Sequence, residues 1–305
     1  MVSDDLVNYK SDYSIVGRPP YGVFEVSGLG VRSISDWVFE VGRFWCSKYS
    51  GFYSIITDGY WLLSVIAADM NNEHLTPLYS ELYSHIADGF ISENEQILEA
   101  VRTINAYTKG NGIWTIDRGG DRQVLIKELD TLNQRFVIRL NDTRHYKDAK
   151  GDSKTIPQIL RGMRYKDKYT LTIDKEGYTE KIEISLARRD DLYIDDIKVS
   201  IIAVKGFGKE PMLLLTNVED KSPKEIVEIY LTRWECEESF RFLKHEYHLE
   251  DVRVREYTAL RNTVVLLHAV FYFLSVYLGR RLKMTLLINK IIGSVYKIGC
   301  YNRIK

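Results

Sequence analysis

The sequence predicts an α/β fold, a mixed sheet with packed helices and a β-rich insertion, and three stretches carry that prediction. An apolar run over residues 112–116 stops at Asp117, turns on Gly119 and Gly120, and opens a helix-like run over 122–132. Residues 169–204 are rich in Thr, Ile, Tyr and charged side chains at period two, the signature of strands. A capping box then announces a helix: Ser222 is the N-cap, Pro223 takes the first helical position and Glu225 reaches back.

Taken in chain order, residues 60–68 and 75–83 read as strands separated by the polar loop 70–73. Residues 92–109 open with Ser-Glu-Asn-Glu, a capped acidic first turn, and read as a helix. Strand 113–117 and helix 122–132 follow, then an alternating strand at 135–140, the β-rich stretch, and a buried strand at 212–216. The capped helix is expected to run over 223–247. Residues 33–50 match no pattern, and 52–57 read as a strand ending at Asp58.

The capped helix carries chemistry on one face. At about 100° per residue, Tyr230, Arg233, Glu237 and Lys244 fall within an arc of about 60°, with Arg241 beside it. Ile226, Ile229, Leu231, Trp234, Phe240, Phe242 and Leu243 fill much of the remaining surface, so the helix should be largely buried. Buried Arg and Glu need partners, and two readings stand side by side. One is an intrahelical Arg233–Glu237 pair at four residues' spacing. The other turns the stripe toward a cavity or ligand. An acid at a strand's C-terminal end, as at Asp117, lies where α/β sheets bind ligands, although Asp and Gly also serve such turns for capping alone.

Tyr230, Arg233, Glu237 and Lys244, read as Tyr-Leu-Thr-Arg-Trp-Glu-Cys-Glu-Glu-Ser-Phe-Arg-Phe-Leu-Lys, resemble gap for gap the Tyr-Arg-Glu-Lys signature of bacterial insertion-sequence DDE transposases. Asp117-Arg118-Gly119 resembles the same family's Asp-Arg-Gly element. The resemblance implies a ribonuclease-H-like catalytic core with the β-rich insertion between the second and third acids. It implies Asp117 as second acid and Glu237, rather than Glu238, as third. Tyr230, Arg233, Lys244 and Arg241 would hold DNA. Asp4, Asp5, Asp12, Asp36 and Asp58 are candidates for the first acid, and Asp12 is favoured because Asp12-Tyr13-Ser14 followed by Arg18-Pro19 is similar to the family's first strand.

Asp12, Asp117 and Glu237 would then be catalytic and would ligate two Mg2+ (or Mn2+) ions, which suit in-line attack at phosphorus and take hard oxygen ligands. The implied partners are double-stranded DNA, at the transposon ends and the target, and a second copy in a homodimeric synaptic complex. The implied location is the cytoplasm, at the nucleoid. Residues 1–132 and 211–305 would form two parts of the core around an insertion at 133–210. Only eleven residues precede Asp12, where family members carry a longer region, so a truncated, inactive copy with nonspecific DNA affinity is the alternative.

Composition agrees with a globular DNA-handling chain. At 305 residues, 45% hydrophobic and 28% charged, one large or two smaller domains are expected. The net charge is zero, yet residues 1–100 hold 5 Lys/Arg against 14 Asp/Glu, and residues 101–305 hold 37 against 28. A DNA-facing side over the later two-thirds fits these counts, and so does an ordinary solvated charged surface. Three cysteines without paired spacing suggest neither disulfides nor a zinc ribbon, and His245 and His248 read as polar helix-end residues. Residues 263–278 are apolar but short for a membrane span, with His268 at the centre and Arg261 and Arg280 at the ends. A helix buried on the sheet is expected there, with no signal peptide ahead of it.

Overall fold

The computed structural model describes residues 37–46, 60–69, 75–141, 143–175, 178–233 and 256–273, with single positions between 237 and 254. The first strands are β1 (Trp37–Cys46), β2 (Tyr60–Asp69) and β3 (Leu75–Tyr83), followed by α1 (Glu93–Thr108), β4 (Ile113–Ile116), α2 (Gln123–Thr131) and β5 (Arg135–Arg139). Next come β6 (His145–Asp148), β7 (Ser153–Thr155), α3 (Ile156–Arg161), β8 (Asp167–Lys175), β9 (Tyr178–Ile194) and β10 (Ile197–Lys205). The chain returns through β11 (Met212–Thr216), α4 (Pro223–Leu231) and α5 (Tyr257–Tyr272).

The described strands join one sheet in the order β3-β2-β1-β4-β5-β11-β10-β9-β6-β7, with β8 on β9. β1, β2 and β3 form an antiparallel meander, whereas β4 runs parallel to β1 and β5 parallel to β4. Parallel neighbours need crossovers, which α1 and α2 supply. This is the ribonuclease-H-like mixed sheet that the resemblance implies. The stretch at 169–204 extends the same sheet past β11 rather than standing apart from it.

Side-chain alternation sorts the core into layers. Trp114, Ile116, Phe136 and Ile138 face Ile97, Val101 and Ile104 of α1 and Leu125 and Leu129 of α2. Ile113, Val137 and Leu214 face Ile226, Ile229 and Tyr230 of α4. Leu62, Ile66 and Leu82 of the meander meet Val264 and Phe271 of α5 and Leu243. Helices therefore cover both sheet faces.

Local signals explain most boundaries. Ser92 Oγ accepts from the Glu95 amide at 3.1 Å, and Lys109 ends α1 in the left-handed region at φ 54°. At α4, the Ser222 amide donates to Glu225 Oε2 at 2.8 Å and Ser222 Oγ accepts from the Glu225 amide at 3.3 Å, completing the predicted capping box.

Three features differ from expectation. The helix expected over 223–247 is interrupted: α4 ends at Leu231, Thr232 is a turn, and helical positions resume from Arg233. The Thr232 hydroxyl donates to the Ile229 carbonyl at 2.7 Å, a local bond that competes with the helical ladder. α5 packs on the sheet through Val264, His268 and Phe271, but Leu266 and Phe273 are 65% and 52% exposed, so only one face is buried. No helix among the described residues is long and apolar enough to cross a membrane. Finally, β1 lies within residues 33–50, where no pattern was legible. A strand between two neighbours in a sheet covered on both faces need not alternate, and Val38, Phe39, Val41, Phe44 and Trp45 do not.

Candidate active site

Asp117 follows directly on Ile116 at the C-terminal end of β4. Its Oδ1 accepts the Gly119 amide at 2.7 Å and caps a single 3-10 turn, Arg118–Gly120. Gly120 is required sterically, since a Cβ there would stand 2.0 Å from Ile116 Cγ2. Two sides of the turn are braced. Arg122 donates to the Gly119 carbonyl at 2.7 Å, to Asn94 Oδ1 at 2.7 Å and to Glu93 Oε1 at 2.6 Å in the first turn of α1. Asn141, beyond β5, donates through Nδ2 to the Arg118 carbonyl at 3.1 Å and through its amide to Asp121 Oδ2 at 2.9 Å.

α4 brings Tyr230 to the sheet face that also carries Ile113 and Val137, and only 4% of the residue is exposed. Burial pushes its phenol pKa up; the Arg233 and Arg139 charges oppose that push and the Asp117 charge adds to it. α4 packs on β4 and β5, so the Tyr230 phenol feels the Arg139, Arg233 and Asp117 charges together, with Arg139 close enough to offer it a hydrogen bond. Arg233 Cζ is 5.9 Å from the Tyr230 ring centroid, and Arg233 Nη2 pairs with Glu237 Oε1 at 2.5 Å. The intrahelical pair of the simpler reading is thus present, but it faces Tyr230 rather than solvent alone.

The sequence-derived residues Asp117, Tyr230, Arg233 and Glu237 are therefore linked in one neighbourhood. Arg241 and Lys244 are half-buried about one and two turns past Glu237 on the same helical segment, with buried Leu243 between them. Asp12 lies outside the described residues. Arg139, at the end of β5, was missed by sequence reasoning. The register sets Ile138 beside Ile116, which puts Arg139 level with Asp117. Tyr230 Oη and Arg139 Nε are both buried without a well-aligned hydrogen-bond partner.

The carboxylates of Asp117 and Glu237 are hard oxygen donors suited to Mg2+ or Mn2+, and Asp117 engages only Oδ1 with the Gly119 amide among the described residues. The donor chemistry fits a divalent ion. Among the described residues, no three His, Cys, Asp or Glu side chains form a metal-holding group.

The sequence matches the family model described as "Transposase DDE domain" over residues 81–274. The chain belongs to the DDE transposase family. The matched span contains Asp117, Arg139, Tyr230, Arg233, Glu237, Arg241 and Lys244. Among solved structures, the piggyBac transposase synaptic complex with hairpin DNA is similar at 9% identity and a TM-score of 0.44, covering 79% of this chain and 46% of that one. Endonuclease V from Bacillus subtilis is similar at 12% identity and a TM-score of 0.28, covering 78% and 82%. The chain thus spans under half the length of the piggyBac transposase chain. No curated protein matches the sequence.

Proposed function

We propose that this chain is an insertion-sequence DNA transposase that cuts and joins strands at a site built on Asp117 and Glu237. What supports this reading is that Asp117 and Arg139 follow level positions at the ends of two parallel strands, against the sheet face on which α4 packs Tyr230, with the Arg233–Glu237 pair just beyond it. Asp12 is the first acid of the reading, and the three carboxylates would hold two Mg2+ or Mn2+ ions. Such ions activate the attacking oxygen and stabilise the leaving one in phosphodiester hydrolysis and strand transfer.

The chain's own residues position the phosphate. The Arg139 and Arg233 guanidiniums offer planar forks to non-bridging oxygens, while Lys244 and Arg241 add positive charge along the helix. A phenol with an ordinary pKa of about 10 is protonated at neutral pH and burial raises that of Tyr230 further, so its hydroxyl can donate. A phosphate oxygen would offer the Tyr230 hydroxyl and the Arg139 guanidinium a better-aligned acceptor than they find in the protein.

The insertion supports duplex DNA as partner. Arg161, Arg164, Lys166, Lys168, Lys205 and Lys209 are exposed, and none forms an ion pair among the described residues. Lys168 and Lys205 both register with Ser185, and Lys205 Nζ lies 4.1 Å from the Tyr165 ring centroid. β4, β5 and β10 point the same way, so Lys205 ends its strand at the Asp117 end of the sheet. In this reading, 133–210 is an insertion in a core formed by 1–132 and 211–305. The protein would work at the cytoplasmic nucleoid as a homodimer, since synapsis joins two transposon ends.

The test is a calorimetric Mn2+ titration of the purified chain beside Asp117→Ala and Glu237→Ala, followed by cleavage of a duplex bearing the element's end. Saturable binding lost in both variants, with cleavage lost in parallel, is the expected result. An inactive copy would bind duplex yet take up no Mn2+ and cut nothing.

A further inference from the structure

We propose that the partly buried Asp121–Arg144 ion pair is a positioning device that holds the Asp117 carboxylate in fixed relation to Arg139. The proposal rests on the catalytic reading of Asp117 given above.

The Asp121 side chain is 2% exposed and that of Arg144 16%. Arg144 donates to Asp121 Oδ1 through Nε at 2.9 Å and Nη2 at 2.5 Å, and through Nη2 to the Asp121 carbonyl at 3.1 Å. Asp121 Oδ2 takes the Asn141 amide at 2.9 Å, and Asn141 Nδ2 holds the Arg118 carbonyl at 3.1 Å. Two segments are thereby tied together: the turn after β4, which carries Asp117, and the loop after β5, which follows Arg139. Tyr146, 1% exposed, lies beside the pair, and burial together with the Asp121 charge pushes its phenol pKa up.

A pair whose carboxylate is almost wholly withdrawn from water is poorly explained by stability alone. Desolvating two charges offsets much of their attraction, and apolar side chains of similar volume often do as well. Apolar contacts are not directional, however. A fork of charge-assisted hydrogen bonds fixes distance and angle, which a carboxylate awaiting a metal needs. Asp117 makes no hydrogen bond or ion pair with the Asp121 or Arg144 side chain among the described residues, so both act through the backbone of the turn.

The deciding variant is the double Asp121→Leu/Arg144→Met, which removes both charges at similar volume, with Arg144→Lys as a milder second. Three readouts are taken on the full chain: thermal unfolding, Mn2+ affinity by calorimetry, and amide exchange at Gly119, whose N–H is held by Asp117 Oδ1. The expected result is an unfolding midpoint near that of the parent and Mn2+ affinity about tenfold weaker, the usual scale for groups that orient metal ligands. Gly119 should exchange about tenfold faster while Trp114 and Val137 in the neighbouring strands keep their rates. Arg144→Lys should move the same way by less, since it keeps the charge but loses the fork.

Unchanged Gly119 exchange and unchanged affinity in a folded double variant would overturn the proposal and leave the pair a packing element. If the parent binds no Mn2+, the catalytic reading of Asp117 falls, while Gly119 exchange still decides whether the pair holds the turn.

Discussion

The Tyr230 hydroxyl and the Arg139 guanidinium approach each other from α4 and β5, yet Tyr230 Oη and Arg139 Nε remain buried without an aligned partner. A buried hydroxyl left unsatisfied costs about 1–3 kcal/mol, so its removal should relieve the fold. Tyr230→Phe is therefore expected to be neutral or to stabilise by about 1 kcal/mol in urea unfolding. Strand cleavage should fall about tenfold, the worth of one hydrogen bond to a charged oxygen. A clear loss of stability would show that the hydroxyl already has a partner inside the protein.

The turn that carries Asp117 tolerates no side chain at position 120. In Gly120→Ala the new methyl would meet Ile116 Cγ2 at 2.0 Å, and Ile116, at the end of β4, is itself packed in the core with residues of α1 and α2. Overpacking of this kind costs about 1–3 kcal/mol and forces the backbone to shift. Gly120→Ala should lower the urea midpoint and weaken Mn2+ uptake together, and Ile116→Ala in the same chain should restore part of the affinity. Weakened unfolding with intact metal affinity would mean that the turn moves without carrying Asp117.

Much of this arrangement could be read from local sequence, because local physics fixes it. Ser92 and the Ser222–Glu225 box set helix starts within a residue, and the strand Met212–Thr216 is found where expected. Asp117 was legible because a strand end, a capping acid and two glycines are neighbours in sequence. Arg139 was not, since its meaning comes from the parallel register that sets β5 beside β4. β1 was missed for a related reason: its apolar residues follow no period of two, and its place between β2 and β4 comes from pairings with segments distant in sequence. The apolar run at 263–278 gave its hydropathy but not which side is covered. The exposed Leu266 and Phe273 show that only part of α5 faces the sheet.

His268 makes the fold sensitive to acid. It is 3% exposed, its Nδ1 lies 3.0 Å from the Val264 carbonyl oxygen, and burial lowers its pKa to about 3. An unfolded histidine titrates near 6.5, so above that pH both states are neutral and the residue contributes no slope. Between about 6.5 and about 3 the unfolded chain takes a proton that the native chain refuses, and stability falls with pH. At pH 5 the loss is about 2 kcal/mol, at about 1.4 kcal/mol per unit. His268→Leu should flatten this part of a stability–pH curve measured by urea unfolding. An unchanged slope would mean that His268 becomes protonated in the folded state.

The cationic edge of the insertion should appear in the salt dependence of duplex binding rather than in chemistry. Lys205 lies three register steps beyond Ile202, which is level with Arg139 through Leu214, and so stands about 10 Å past the acids along the strand direction. Lys168 is at the same level across Ser185. A duplex lying across this end of the sheet would set its phosphates against both lysines. Each phosphate contact contributes about 0.9 to the slope of log affinity against log salt. Lys168→Glu with Lys205→Glu should therefore reduce the magnitude of the slope by about 2 and weaken binding to any duplex sequence. Mn2+ uptake at Asp117 and Glu237 should not change, because neither lysine belongs to that site. An unaltered slope would move the duplex off the insertion and onto the Arg233–Lys244 helix alone.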